Sequence, residues 1–141
     1  MESLFYKVTY EGNSATYDVR RSGFNLQYKL NEETISPINK IFVFKTHKDT
    51  LNFINTHCYG NSNKLIILSG IGKNPHKITR CADLGFSIDD YFEEFWKSYK
   101  NKKKFRWTRP TLDNTYIVDS YKPLYQYNIN EFINLIGANY K

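Results

Sequence analysis

Seven basic residues fall within thirteen consecutive positions of this chain: Lys97, Lys100, Lys102, Lys103, Lys104, Arg106 and Arg109. No acid interrupts them, and Trp96, Tyr99, Phe105 and Trp107 are interleaved with them. Cations at that density attract phosphate, and exposed rings among them stack on unpaired bases. The whole chain carries 20 Lys and Arg against 14 Asp and Glu, a net charge of +6. Taking these seven from the 20 leaves 13 bases against the same 14 acids. The positive charge is therefore local to residues 97–109. A structural reading competes with the functional one. Lys97 and Lys100 suit a helix C-terminus, where the dipole favours cations. A lysine run also solvates a loop, and Trp96, Tyr99 and Phe105 suit a core.

The other constellations point to less chemistry. Ser69-Gly70-Ile71-Gly72-Lys73-Asn74 follows an apolar run, as a phosphate loop would. Its two glycines are one residue apart, whereas the nucleotide loop needs G-x-x-x-x-G-K-S/T. Pro75 stands where a dinucleotide fold would place its third glycine, so the segment reads as a tight turn. His57, Cys58, His76 and Cys81 lack the paired spacing of a zinc site, so no metal and no cofactor is expected. Asp89, Asp90, Glu93 and Glu94 open a predicted helix, where acids complement the dipole. Asp113 and Asp119 flank a predicted strand without a partner base. No serine or cysteine has a nucleophile's context, so no catalytic residue is assigned.

These residues need elements to hold them. Alternating apolar positions predict strands at 3–10 and 14–20, paired as a hairpin around Gly12-Asn13, and a third at 24–30. Residues 31–39 read as loop. Ile41–Phe44 reads as a buried strand. Thr46 and Asp49 form a capping box for a helix over 47–57, and residues 64–68 are a second buried strand, giving a strand–helix–strand crossover. Residues 77–81 suggest a short strand. Ile88, Tyr91, Phe92, Phe95, Trp96 and Tyr99 lie on one helical stripe that starts at Ser87. Residues 101–114 read as a polar loop. Residues 116–118 and 124–127 predict late strands around a Ser120–Pro123 turn. Asn128 and Glu131 cap a last helix that Gly137 ends. The order of elements implies one α+β domain over residues 1–141, with about three helices packed on a mixed, mainly antiparallel sheet.

Composition narrows the setting. Aromatic residues make up 17% of the chain, too much ring surface for a disordered polymer. No apolar run approaches the ~20 residues that span a bilayer, and the N-terminus lacks the pattern of a secretion signal. The expectation is an intracellular protein of the cytoplasm, or of a host's cytoplasm, with no membrane contact and with free thiols. Abundant Asn, Lys, Ile and Tyr beside three Ala suggest an AT-rich genome. Ser22-Gly23-Phe24-Asn25-Leu26-Gln27-Tyr28 followed by Ile41–Phe44, with Tyr116–Ser120 and Lys122-Pro123-Leu124 later, resembles small uncharacterised α+β domains of phage and giant-virus proteins. That resemblance covers about two-thirds of the chain. It implies a viral accessory protein and carries no catalytic residues.

Together these features predict a small binding module rather than an enzyme. It would contact the phosphates of RNA or single-stranded DNA through Lys97, Lys100, Lys102, Lys103, Lys104, Arg106, Trp107 and Arg109. Two alternatives stand beside it. One is a protein-interaction, self-association or assembly module, suited by the many Tyr and Trp. The other is an enzyme whose polar residues converge only in space.

Overall fold

The computed structural model describes residues 2–11, 13–14, 26–35, 40–57, 64–82, 95–102, 108–112 and 114–140. The α+β class holds. Seven strands lie in one order, and an eighth pairs beside them. They are β1 (Glu2–Tyr10), β2 (Asn13–Ser14), β3 (Thr34–Ile35), β4 (Ile41–Phe44), β5 (Leu65–Lys73), β6 (His76–Lys77), β9 (Thr115–Val118) and β10 (Ser120–Asn128). The order is β3-β10-β5-β1-β4-β9-β6, with β2 on β1. Two further strands, β7 (Arg80–Ala82) and β8 (Thr108–Pro110), form a separate ribbon. Every described pairing is antiparallel, which removes the parallel component expected of a mixed sheet. Helix α1 spans His47–His57, the described part of α2 covers residues 95–100, and α3 spans Ile129–Tyr140. Among the described residues no helix is long and apolar enough to cross a membrane.

One covalent link curls this sheet. β9 and β10 are separated by Asp119 alone, yet β9 pairs with β4 and β10 pairs with β5. Between those partners lies β1, which pairs with β5 along its length and with β4 at Tyr6↔Phe44. A flat sheet cannot bring both ends of that series to one bend. The strands therefore run round, β5-β1-β4-β9, and return to β5 through β10. The ladder crosses the bend: Asp119 N–H donates to the Lys73 carbonyl at 2.9 Å, and Ile78 N–H to the Thr115 carbonyl at 3.0 Å.

Strand alternation sorts the side chains onto two faces. Inside the curl, Phe5, Ile41, Val43, Leu68, Val118 and Tyr121 pack together, with Tyr28 filling the interior. The buried Tyr121 hydroxyl donates to the Phe5 carbonyl at 2.8 Å and lies 3.3 Å from that of Leu68. This ties β10 to both β1 and β5. Outside, Val8, Leu65 and Ile67 meet Ile54 of α1 and Phe132 of α3, and Phe42 meets Trp96 of α2 at 5.7 Å. Three helices thus cover the outer face.

Several sequence expectations need correcting. Of the expected Ser69–Asn74 turn, Ser69 to Lys73 are the C-terminal half of β5, and only Asn74 leaves the strand. Gly70 is required there because a Cβ would collide with the Lys122 carbonyl, and one at Gly72 would lie 2.7 Å from Val118 Cγ1. The Ser120–Pro123 turn is likewise strand. The chain bends at Asp119 instead, and the register slips between Pro123 and Tyr125, a bulge that accommodates proline. Of the expected strand at 24–30, residues 24 and 25 lie outside the described residues, and the rest holds a single bridge at Gln27 before a turn at Leu30-Asn31; the 31–39 loop contains β3, and the 101–114 loop contains β8. The 77–81 strand is two pieces, β6 and β7. α3 runs through Gly137 rather than stopping there. The strand–helix–strand unit β4-α1-β5 is present, with β1 inserted between its parallel arms. Residues 15–20 of the second expected strand and the helix start at Ser87 lie outside the described residues.

The close approach at Gly70 involves backbone, which cannot step aside, while that at Gly72 involves a side chain. Gly70→Ala should therefore cost roughly 2–3 kcal/mol and Gly72→Ala about 1 kcal/mol. Urea denaturation midpoints would measure both, and equal costs would contradict the backbone contact.

Candidate functional site

The basic segment begins on α2. Phe95 and Trp96 are buried, so these two rings of the stripe belong to the core. Trp96 packs against Phe95 at 4.9 Å and Tyr99 at 5.7 Å. Lys97, Lys100 and Lys102 are exposed. The helix closes with Asn101 N–H donating to the Lys97 carbonyl and Lys102 N–H to that of Tyr99, both at 3.1 Å. Lys102 has φ 57°, the left-handed conformation usually given to glycine at this position. Lys103, Lys104, Arg106 and Trp107 lie outside the described residues. Arg109 sits on β8, where it registers with Cys81 of β7.

That ribbon also carries a cation from outside the segment, Arg80. Arg80 is exposed on β7 and pairs with Pro110, one position from Arg109 in the ladder. Exposed Lys77 on β6 reaches the Asn114 side-chain oxygen at 3.1 Å. Arg80 and Arg109 are 29 positions apart in the chain. The pairing of two three-residue strands makes their backbones neighbours at successive register positions, which alternate between the two faces of the ribbon.

A second polar group gathers at the Asp119 bend. Lys40 Nζ lies 2.5 Å from Asp119 Oδ1, and the Asn74 amide donates to Oδ2 at 2.9 Å. Lys40 first, then the Asn74 hydrogen bond and nearby charges, hold the Asp119 carboxyl below its ordinary value. Asp119 thus has a structural role that explains its place beside the strand. Asp113 is outside the described residues.

Beside the bend lies a depression of about 270 Å³ lined by Asn31, Glu33, Ile71, Lys73, Ser120 and Lys122. Its residues come from β5, β10 and the segment before β3, so no local motif announces it. Glu33 accepts from Ser120 and sits 3.0 Å from Lys73 Nζ. These contacts hold its carboxyl below the ordinary value. The one acid in the depression is thus committed to its own wall, and the lining can bind a polar group without offering an acid–base pair tuned to neutral pH.

A Tyr–His contact lies on the outer face. Tyr6 Oη and His47 Nε2 are 2.6 Å apart. Burial lowers the His47 pKa, and burial together with Tyr127 raises that of Tyr6. Among the described residues no three His, Cys, Asp or Glu side chains gather as metal ligands. His57 ends α1 and Cys81 lies on β7, in separate elements, while Cys58 is outside the described residues.

Comparison with known proteins returned no match: no family model, no curated protein and no solved structure pairs with this chain.

A carboxylate whose folded pKa is lowered adds stability above its ordinary value and loses it as pH falls through the folded one. Asp119→Asn should cost under about 1 kcal/mol at neutral pH, because the ion pair is half-exposed. The gap from wild type should close below about pH 4. Denaturation midpoints at a series of pH values would show this, and a gap that persists in acid would assign the loss to something other than the charge.

Proposed function

We propose that this domain binds single-stranded nucleic acid, RNA or DNA, through the cations of residues 97–109. The observation that carries this reading is Lys102. A lysine occupies a left-handed helix exit at φ 57°, where an L-residue costs about 1–2 kcal/mol. Lys102 is exposed there, so its charge faces solvent instead of entering the packing. Lys97 and Lys100 are exposed on the last turns before it. The segment has seven bases and no acid, while the rest of the chain is nearly neutral.

The aromatic contribution is narrower than the sequence suggested. Trp96 is core, so stacking falls to Tyr99, whose ring is about one-third exposed, and to Trp107. The proposed contact is therefore mainly electrostatic, phosphate by phosphate, with little base readout. The setting proposed with it is that of a phage or large-virus accessory factor in the cytoplasm.

A second reading, contact with another protein, draws on Leu4, Ile35 and Tyr125, which are 55%, 64% and 63% exposed on β1, β3 and β10. It predicts an assembly that survives high salt, since apolar contacts are not screened.

With about four phosphates contacted, the slope of log K against log salt for an oligothymidylate should be near –3. Lys102/Lys103/Lys104→Glu should abolish retardation, while Lys29/Lys48→Glu, on other elements, should leave most of it. Lys102→Gly should raise stability by about 0.5–1 kcal/mol and lower affinity. Salt-independent binding, or equal effects of the two charge reversals, would overturn the proposal.

A further inference from the structure

Phe132 docks helix α3 on the outer face of the sheet. Among its described side chains only Phe132 is buried; Ile129 is half-buried, and Asn130, Glu131, Ile133, Asn134 and Leu135 are exposed. Phe132 sits among three rings from three other elements: Tyr6 of β1 at 5.6 Å, His47 of α1 at 5.4 Å and 80°, and Tyr127 of β10 at 6.3 Å. His47 also stacks against Tyr6 with ring centroids 4.8 Å apart, besides the 2.6 Å contact of Nε2 with the phenol oxygen. It is the member of the cluster whose charge changes near neutral pH.

We propose that Tyr6, His47 and Phe132 form a pH-responsive latch, which docks α3 while His47 is neutral and loosens it when His47 takes a proton. With the His47 proton on Nδ1, Nε2 accepts a hydrogen bond from the Tyr6 hydroxyl. On protonation Nε2 becomes a donor, and the phenol must turn its own proton elsewhere. The imidazolium would then be half-buried against two aromatic rings. It would also stand at the first position of α1, where the helix dipole opposes a cation. Burial already disfavours the charged form.

The surrounding charges do not offset this. On α1, Asp49 is engaged by the Thr46 hydroxyl at 2.7 Å and by Asn114 at 3.4 Å, and Lys45 and Lys48 flank His47 with like charge. From β1 the facing titratable group is Tyr6, and Lys7 lies over Tyr28 on the opposite face. From β10 it is Tyr127. From α3 it is Glu131, whose carboxylate accepts the Asn128 N–H at 3.1 Å in the helix cap. A depressed histidine pKa contributes stability above its ordinary value of 6.5 and loses it as pH falls through the lower folded value. The apolar surface released includes Val8 and Ile67 of the outer sheet face.

Hydrogen–deuterium exchange on the full chain tests this, at about pH 7.5 and about pH 5, with rates corrected for intrinsic chemistry. The amides of residues 129–135 should lose protection in acid while those of β5 keep theirs. His47→Gln, which retains a hydrogen-bonding side chain without the charge, should remove the pH dependence. Phe132→Ala should leave α3 unprotected at both values. An NMR titration of the wild type serves if a variant does not fold: the His47 ring and the α3 amides should share one midpoint. Constant α3 protection, the same acid loss in His47→Gln, or separate midpoints would overturn the latch.

Discussion

The single residue between β9 and β10 constrains everything else in this fold. Because Asp119 alone joins a strand paired with β4 to a strand paired with β5, the intervening sheet must curl until its two sides meet. Three further features serve that closure. Gly70 lets the Lys122–Pro123 backbone approach. The slip between Pro123 and Tyr125 changes which face each later residue of β10 meets, so Tyr121 points inward and Tyr127 outward. The Tyr121 hydroxyl then spans the interior to the β1 and β5 carbonyls. Burial raises the Tyr121 pKa far beyond the range in which it would ionise, so the donor persists across the working pH range.

Closure also decides where chemistry can sit. The inner face is filled by its own side chains, leaving the outer face to the helices. α2 commits Phe95 and Trp96 to that packing and turns Lys97 and Lys100 to solvent. The described cations Lys97, Lys100 and Lys102 therefore stand at the exposed end of α2. The proposed nucleic-acid surface and the proposed α3 latch are both products of how helices are fastened to the outside of the curl.

What could be read from the sequence was local. The Thr46–Asp49 capping box is present as both a 2.7 Å side-chain bond and a 3.1 Å bond from the Asp49 amide. The Asn128–Glu131 box is present with both of its bonds. Each needs only residues three apart, so spacing suffices to predict it. The misreadings share a different cause. Gly70 and Pro123 look like turn residues, because nothing near them in sequence shows that two backbones will press together there. β3, β6, β7 and β8 are two or three residues long, too short for periodicity to register. The depression at Glu33, Lys73 and Ser120 and the Arg80–Arg109 neighbourhood depend on strand pairing over long separations, so composition could locate the charge but not its companions.

Interstrand NMR contacts around the bend test the closure most directly. In a closed sheet Val118 shows backbone contacts to Ile41 while, in the same folded state, Ser120 shows them to Lys73. A sheet in which one of these sets is absent would be open, and it would contradict the shared ladder on which the interior, the helix layer and the placement of the basic segment all depend.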